Sequence, residues 1–513
     1  MVFQLTTAAL LLLLCALFLR WHAGAWAARP PFWVMALDVA PLLIGAALFA
    51  ALTARPLFGA LVVAALAGGL VGADVVKRQV LREPVVFADR AELLEVVRHP
   101  EFYLPFAGTG LVLGAAAAIA AVAGAVAWAL PPVWPWSPWP PLAALLVTVA
   151  AFALPGWPPL LARLQRLYEG LAPSRDPGRD TARWGMLACF AIHATLARAE
   201  RPARRATAAV LRSPPDRWHG PVVMAQLESF FDPRRLHVAM PPNLLPGFDA
   251  CRAAAAAAGR LAVPTWGANT IRTEFAALTG LGSVALGLDR FNPYERFART
   301  RIDALAWHLQ TLGMRTVCLH PFDRRFYGRN RAIPALGFQR FIGPEAFSTA
   351  GRAEAFVNDA ALARHAAEIL ADAGPDLFLF VISVGNHGPW LADRGAEDAV
   401  RLPDPLQGLP EAAALRRYLG GLRRTDAFFP VMTDALRAAP GRGLLLAYGD
   451  HQPSLPGLFA ALGHRDTMTD YVLWDAEPVA HAPFRSEILS VEALPQLLLD
   501  RLGGSYIQQK AAE

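Results

Sequence analysis

Lysine is almost absent. Lys77 and Lys510 are the only two among 513 residues, so arginine carries the net charge of +6 and the pI near 9.4. Arginine, alanine and proline at this abundance reflect base-rich coding as much as function. No RNP, zinc-finger or basic-helix pattern accompanies the charge, and nucleic acid is not an expected partner. Cysteine is scarce too. Cys15, Cys189, Cys251 and Cys318 show no C-x-x-C spacing, so neither a disulfide framework nor a cysteine metal site is expected. Also missing are G-x-x-x-x-G-K-S/T, H-E-x-x-H and G-x-S-x-G, which removes P-loop nucleotide, zinc-protease and α/β-hydrolase chemistry.

Charge is missing in a third way. Apolar runs long enough to span a bilayer occur at about 2–19, 32–52, 57–75, 104–130 and 142–161, predicting a bundle of five transmembrane helices over residues 1–162. The first run lacks a basic start and the second follows closely, so it reads as a span and not a cleaved signal peptide. Trp21, Trp26 and Trp33, and again Trp134, Trp136 and Trp139, sit where an interfacial aromatic belt is expected. An arginine-rich connector follows over 163–217, with Arg163, Arg166, Arg183, Arg198, Arg201, Arg204, Arg205 and Arg212. It reads as a solvated stalk or a helix along anionic headgroups. The loop between the third and fourth runs holds Lys77, Arg78, Arg82, Arg90 and Arg98, and by the positive-inside rule both that loop and the C-terminal domain fall in the cytoplasm.

From 218 to 502 short apolar runs alternate with helical patterns, predicting an α/β domain with a mostly parallel sheet; 503–513 reads as a frayed tail. The expected strands are Val222 to Leu227, Thr316 to Leu319, Leu377 to Val384, Leu444 to Tyr448 and Tyr471 to Trp474. The expected helices are Phe248 to Ala262, Glu274 to Thr279, Arg301 to Leu312, Ala360 to Ala373, Ala412 to Ala438 and Val491 to Leu502. Ligands of open α/β sheets bind beyond the carboxyl ends of the strands, and here those ends are followed by Glu228, by His320, by Asn386 with His387, and by Asp450 with His451. Four strands thus aim ionisable groups at one rim. Glu228, Asp450 and His451 offer hard oxygen and imidazole donors suited to manganese, magnesium or zinc.

The stretch W-G-A-N-T-I-R-T-E-F-A-A-L-T-G, Trp266 to Gly280, places Thr270 at the mouth of a helix. By capping statistics its hydroxyl reads as an N-cap; in company with the three donors it could instead be the remaining ligand, which a bound metal would turn into a nucleophile. Arg329, His320 and His387 then have the chemistry to hold anionic oxygens or protonate a leaving alkoxide.

These blocks carry a resemblance. V-V-M-A-Q-L-E-S-F, the Thr270 block, L-H-P-F-D-R-R-F-Y-G-R, F-V-I-S-V-G-N-H-G-P-W and L-A-Y-G-D-H-Q-P resemble, in order, the lipoteichoic acid synthase and phosphoglycerol transferase family of the sulfatase and alkaline phosphatase superfamily. The resemblance implies one divalent metal, usually manganese, on Glu228, Thr270, Asp450 and His451, with Thr270 as nucleophile. It implies phosphoglycerol contacts from Arg329 and His387, with His320 and Tyr327 beside them. It also implies a domain outside the cytoplasmic membrane, a phosphatidylglycerol-like donor, and a glycan or polymer acceptor. That side of the membrane is preferred over the loop-charge reading, because long domains translocate largely regardless of loop charge. Many relatives show T-A-N-T-E-F or T-S-D-x-E-F where this chain reads N-T-I-R-T-E-F; with Arg272 there, it looks closer to variants linked to capsule or other surface glycans than to a Gram-positive polymerase. The sequence Ser213-Pro-Pro-Asp-Arg217 fits the C/S-x-P-x-R sulfatase pattern formally, but it precedes the first strand and reads as a linker turn. The alternatives are a phosphoethanolamine transferase, a sulfatase-like phosphodiesterase, and a non-catalytic membrane scaffold that keeps the fold.

Overall fold

The structure is a computed structural model and describes residues 1–204, 211–213, 218–298, 301–347, 356–390, 400–477 and 485–503. The chain divides into two compact units, one of 1–206 with 287–291 and the other of 207–286 with 292–513.

In the first unit five helices are long and apolar enough to cross a membrane: Val2–His22, Phe32–Thr53, Pro56–Leu81, Thr109–Ala129 and Trp139–Gly156. Two differ from the expected runs for local reasons. Gly108, at φ 78°, ends the helix Pro100–Ala107 and starts the next at Thr109, so the fourth span begins later than Leu104. The fifth helix stops at Ala153 in a short 3-10 turn through Pro155, ahead of an amphipathic helix Pro158–Glu169. Two buried acids of these helices are paired, as burial in an apolar setting requires: Asp38 with Arg20 at 3.4 Å and Asp74 with Arg78 at 2.6 Å, while Lys77 meets Asp89 at 2.7 Å. The arginine-rich segment is no free stalk. Through its helices Pro177–Trp184 and Met186–Arg204 it packs within the first unit, with Ile192, Leu196 and Ala197 fully buried. Arg205, Pro214 to Arg217 and the tail beyond Gly503 lie outside the described residues.

In the second unit the described strands form one nine-stranded sheet. They are β1 Val222–Leu227, β2 Ala255–Ala262, β3 Arg315–Leu319, β4 Arg340–Ile342, β5 Leu377–Ile382, β6 Leu444–Gly449, β7 Thr469–Asp475, β8 Arg485–Ser486 and β9 Leu489–Ser490. The order is β4-β3-β5-β1-β6-β7-β2-β8, with β9 also on β2. From β4 to β6 all pairings are parallel; β7 runs antiparallel to both β6 and β2. Period-two alternation sends Val223, Ala225 and Leu227 to one core and Val222 and Met224 to the other, so both sheet faces are covered.

The expected helix over Phe248 to Ala262 is a correction. A helix occupies Pro246–Ala253 and β2 follows at once, although its alanines are strong helix formers. Pairing along β7, from Ala255 opposite Trp474 to Leu261 opposite Thr469, overrides that preference. At Gly259 an added Cβ would lie 1.9 Å from the Glu487 carbonyl oxygen, so the chain approaches too closely for a side chain. The expected single helix Ala412 to Ala438 is two, Ala412–Asp426 and Phe428–Ala438.

One glycine matters for the site. A Cβ on Gly449 would sit 1.8 Å from the Phe230 carbonyl oxygen, so its absence lets the end of β6 close on the turn after β1. Gly449→Ala is expected to destabilise the protein by roughly 1–3 kcal/mol through overpacking and to lower Tm by several degrees. Thermal unfolding of the full chain checks this; an unchanged Tm contradicts it.

Candidate active site

In register, Leu227 at the end of β1 lies beside Gly449 at the end of β6, and β5 flanks β1 on the other side. The residues just beyond these adjacent ends therefore converge. Glu228 follows β1, Ser383 to His387 follow β5, Asp450 and His451 follow β6, and His320 follows β3. Thr270 comes from outside the sheet, on the helix Thr270–Thr279, which starts after Asn269 in the left-handed conformation (φ 65°) and ends at Gly280 (φ 69°).

The structure brings Thr270, Glu228, Asp450 and His451 together. The Thr270 hydroxyl donates to Asp450 Oδ2 at 2.9 Å and lies 3.5 Å from His451 Nε2. His451 Nε2 is in turn 3.3 Å from Asp450 Oδ2 and 3.5 Å from Glu228 Oε1. Thr270 is not an N-cap. It occupies the first helical position, Asn269 stands at the cap, and the hydroxyl is directed to a carboxylate far along the chain.

Backbone and side-chain bonds orient each group. Asp450 Oδ1 accepts from the Ser229 and His451 amides, both at 2.8 Å. The Ser229 hydroxyl donates to Glu228 Oε1 at 2.9 Å, and the Glu228 amide donates to Ser383 Oγ at 2.9 Å. His451 Nδ1 donates to the Gln452 carbonyl at 3.0 Å, leaving Nε2 as the lone-pair nitrogen turned toward the two acids. Ser229 and Ser383 were not among the expected site residues. The first had a signal, as the neighbour of an expected ligand; the second acts through a backbone bond that no motif reveals.

Glu228, Asp450 and His451 are buried and each offers a ligand atom within 4.8 Å of the others, the spacing of a metal-holding group. Burial and the neighbouring Asp450 charge push the Glu228 carboxyl well above the usual range. A divalent cation resolves such a clash of buried acids, and two carboxylates with an imidazole are hard-to-borderline donors that fit one.

Arg329, His320 and Tyr327 form a second group. Arg329 opens the helix Arg329–Ala335, is buried, and meets Glu274 through Nε at 3.0 Å and Nη2 at 2.8 Å. Its guanidinium carbon lies 5.5 Å from the centre of the Tyr327 ring, and Nη1 lies 3.4 Å from His320 Nε2. His320 Nδ1 donates to the Ile382 carbonyl at 3.1 Å, so Nε2 accepts from Arg329. Burial, and after it the Arg329 charge, hold His320 well below the usual imidazole range. That direction favours the neutral ring, so of the two expected roles, holding anionic oxygens suits His320 better than protonating a leaving alkoxide. His387 is half-buried, with Nδ1 2.5 Å from the Gly388 carbonyl.

The curated relatives are rhizobial. A capsular polysaccharide biosynthesis protein of Rhizobium meliloti is 34% identical over 275 residues, covering 52% of this chain and 47% of that protein. A putative cyclic β-1,2-glucan modification protein of the same organism is 26% identical over 296 residues, covering 56% and 45%. The chain thus spans about half the length of the curated relatives it matches. Among solved structures, a Streptococcus pyogenes phosphoglycerol transferase in complex with sn-glycerol-1-phosphate aligns with TM-score 0.45 at 20% identity, over 60% of this chain and 85% of that one. The integral membrane lipooligosaccharide phosphoethanolamine transferase A of Neisseria meningitidis aligns over 95% of both chains with TM-score 0.49 at 13% identity. The Sulfatase family matches residues 222–503, which hold β1 through the last helix and every residue of the site, and the chain belongs to that family.

Proposed function

We propose that this protein is a multi-pass membrane phosphotransferase, dependent on one divalent metal, that moves a phosphoglycerol-type group from a phospholipid to a surface glycan through a phosphothreonine at Thr270. The observation that carries the proposal is the Thr270 hydroxyl beside Asp450 and His451, with Glu228 completing a buried donor set. Glu228, Asp450, His451 and Thr270 are the proposed ligands, and manganese is the proposed ion. When bound, the ion lowers the pKa of the threonine hydroxyl and offsets charge on the phosphoryl oxygens.

The chain's own residues do the rest. In the first step the Thr270 oxygen forms a bond to phosphorus as the bond from phosphorus to the diacylglycerol oxygen breaks. The threonine proton passes to Asp450 Oδ2, which already accepts it in a hydrogen bond. His387 is the proposed donor of the proton that the leaving diacylglycerol alkoxide takes up. In the second step an acceptor hydroxyl attacks phosphorus, frees Thr270 and gives up its proton along the reverse route. The helix begins at Thr270 itself, so its N-terminal end, which favours anions, lies at the reacting hydroxyl. The family resemblance supports a catalytic unit outside the cytoplasmic membrane, and the rhizobial relatives support a glycan acceptor.

The test uses the full chain in nanodiscs of phosphatidylglycerol or phosphatidylethanolamine, with manganese, measuring diacylglycerol release with and without a glycan acceptor. Release from phosphatidylglycerol, stimulated by the acceptor, is expected. Release from phosphatidylethanolamine alone would make it a phosphoethanolamine transferase. Free glycerol phosphate without acceptor dependence would make it a hydrolase, and no release from either lipid would favour the scaffold.

A further inference from the structure

The helix that carries Thr270 also carries, one turn later, the completely buried Glu274. Residues at this spacing share a helix face, so the site and this carboxylate move as one piece. Glu274 is saturated with donors. Oε1 accepts from the Tyr294 hydroxyl at 2.5 Å and Arg329 Nε at 3.0 Å; Oε2 accepts from Gln226 Nε2 at 3.1 Å and Arg329 Nη2 at 2.8 Å. Gln226 stands near the end of β1, two residues before Glu228, and its Oε1 accepts from the Tyr448 hydroxyl at 2.8 Å. One carboxylate therefore ties β1, the Thr270 helix, β6 through Tyr448, and Arg329.

The guanidinium is left with a definite remainder. Nε–H and one hydrogen of Nη2 go to Glu274, and one hydrogen of Nη1 goes to His320 Nε2. The second hydrogens on Nη1 and Nη2 meet no acceptor among the described residues, although Arg329 is buried. Buried guanidinium N–H groups without an acceptor are costly unless something arrives to accept them. An anionic ligand with oxygens to spare is such a group.

We propose that Glu274 is a positioning residue for phosphoryl-group binding: it fixes Arg329 edge-on, so that the two remaining N–H groups are presented to the oxygens of a bound phosphate ester. The proposal rests on the phosphotransferase reading and deepens it. Glu274 itself touches no substrate; it acts through Arg329. A role through Arg329 predicts coupling, whereas a general role in stability predicts independent effects.

The experiment is a double-mutant cycle on the full 513-residue chain loaded with manganese. It reads glycerol phosphate and inorganic phosphate binding by calorimetry, and kcat and KM for the lipid donor. Glu274→Gln and Arg329→Lys are each expected to weaken phosphate binding about 10-fold, while the double variant is weaker than Arg329→Lys by no more than about 2-fold, because one interaction is lost only once. Manganese affinity stays within about 2-fold of wild type in all three, since no ligand is touched. If the single effects multiply in the double variant, or Glu274→Gln binds phosphate as wild type does, the assignment is overturned. Should Glu274→Gln fail to fold, Tyr294→Phe takes its place in the cycle. It removes one bond to the same carboxylate and is expected to cost about 3-fold in phosphate binding, a loss absent from the Arg329→Lys background. Coupled phosphate binding without lipid turnover would sink the proposed function and leave Glu274 in place. Turnover of phosphatidylglycerol with independent effects would do the reverse.

Discussion

Thr270→Ala is expected to lower phosphotransfer by on the order of 10³-fold or more while leaving a folded protein. The hydroxyl is the atom that attacks, so its removal leaves binding and charge stabilisation but no bond-forming group. The structural cost is modest, because alanine suits the first position of a helix and the bond lost is the one to the Asp450 carboxylate, worth about 2 kcal/mol. A Tm close to wild type together with absent turnover separates chemistry from folding. Thr270→Ser keeps the hydroxyl and is expected to retain measurable activity. If the alanine variant kept more than about a tenth of wild-type turnover, a loss far below that expected of a nucleophile, the role of Thr270 would be wrong.

Asp450→Asn carries the second large effect, and its two consequences have opposite signs. Asparagine can still accept the Ser229 and His451 amides at one oxygen, but it puts an NH2 where the Thr270 hydroxyl now donates. A ligand charge is lost and the proton acceptor goes with it. Manganese affinity is expected to fall by about 100-fold or more, and turnover with it. The metal-free protein, however, should be no less stable than wild type. Glu228 and Asp450 are both buried and repel each other, and that repulsion helps push the Glu228 carboxyl upward. Neutralising one partner relieves it, an exchange of stability for function found at charged sites. Thermal unfolding with and without manganese reads both halves. Wild-type metal affinity, or a metal-free variant that melts well below wild type, would contradict the account.

The sequence carried β1, β3, β5, β6 and β7 because each is a short apolar run that stops at a polar residue, whereas β4, β8 and β9, only two or three residues long, left no such pattern. Glu228, Asp450 and His451 follow directly from that punctuation, and the strand ends place them side by side. Thr270 lies off the sheet and was legible through its block, not through periodicity. Local reasoning failed where tertiary contact outweighed propensity. The alanine run of β2 forms a strand because β7 supplies an unpaired edge, information held more than two hundred residues away. The same limit applies to Arg329. Its motif suggested a phosphate contact, but nothing nearby in the chain announced that Glu274, 55 residues earlier, holds its guanidinium. His320 was read from its position at a strand end as a group that holds anionic oxygens or protonates a leaving alkoxide. Its neutral state depends on burial and on that arginine, neither of which a strand boundary reveals.

The central claim is that Thr270 takes up the phosphoryl group. Mass spectrometry of the protein after brief incubation with manganese and headgroup-labelled phosphatidylglycerol, without acceptor, tests it directly. The account predicts a phosphoglycerol adduct on the peptide that carries Thr270, lost on addition of acceptor and absent from Thr270→Ala. Steady transfer to an acceptor with no label on the protein at any time would contradict it.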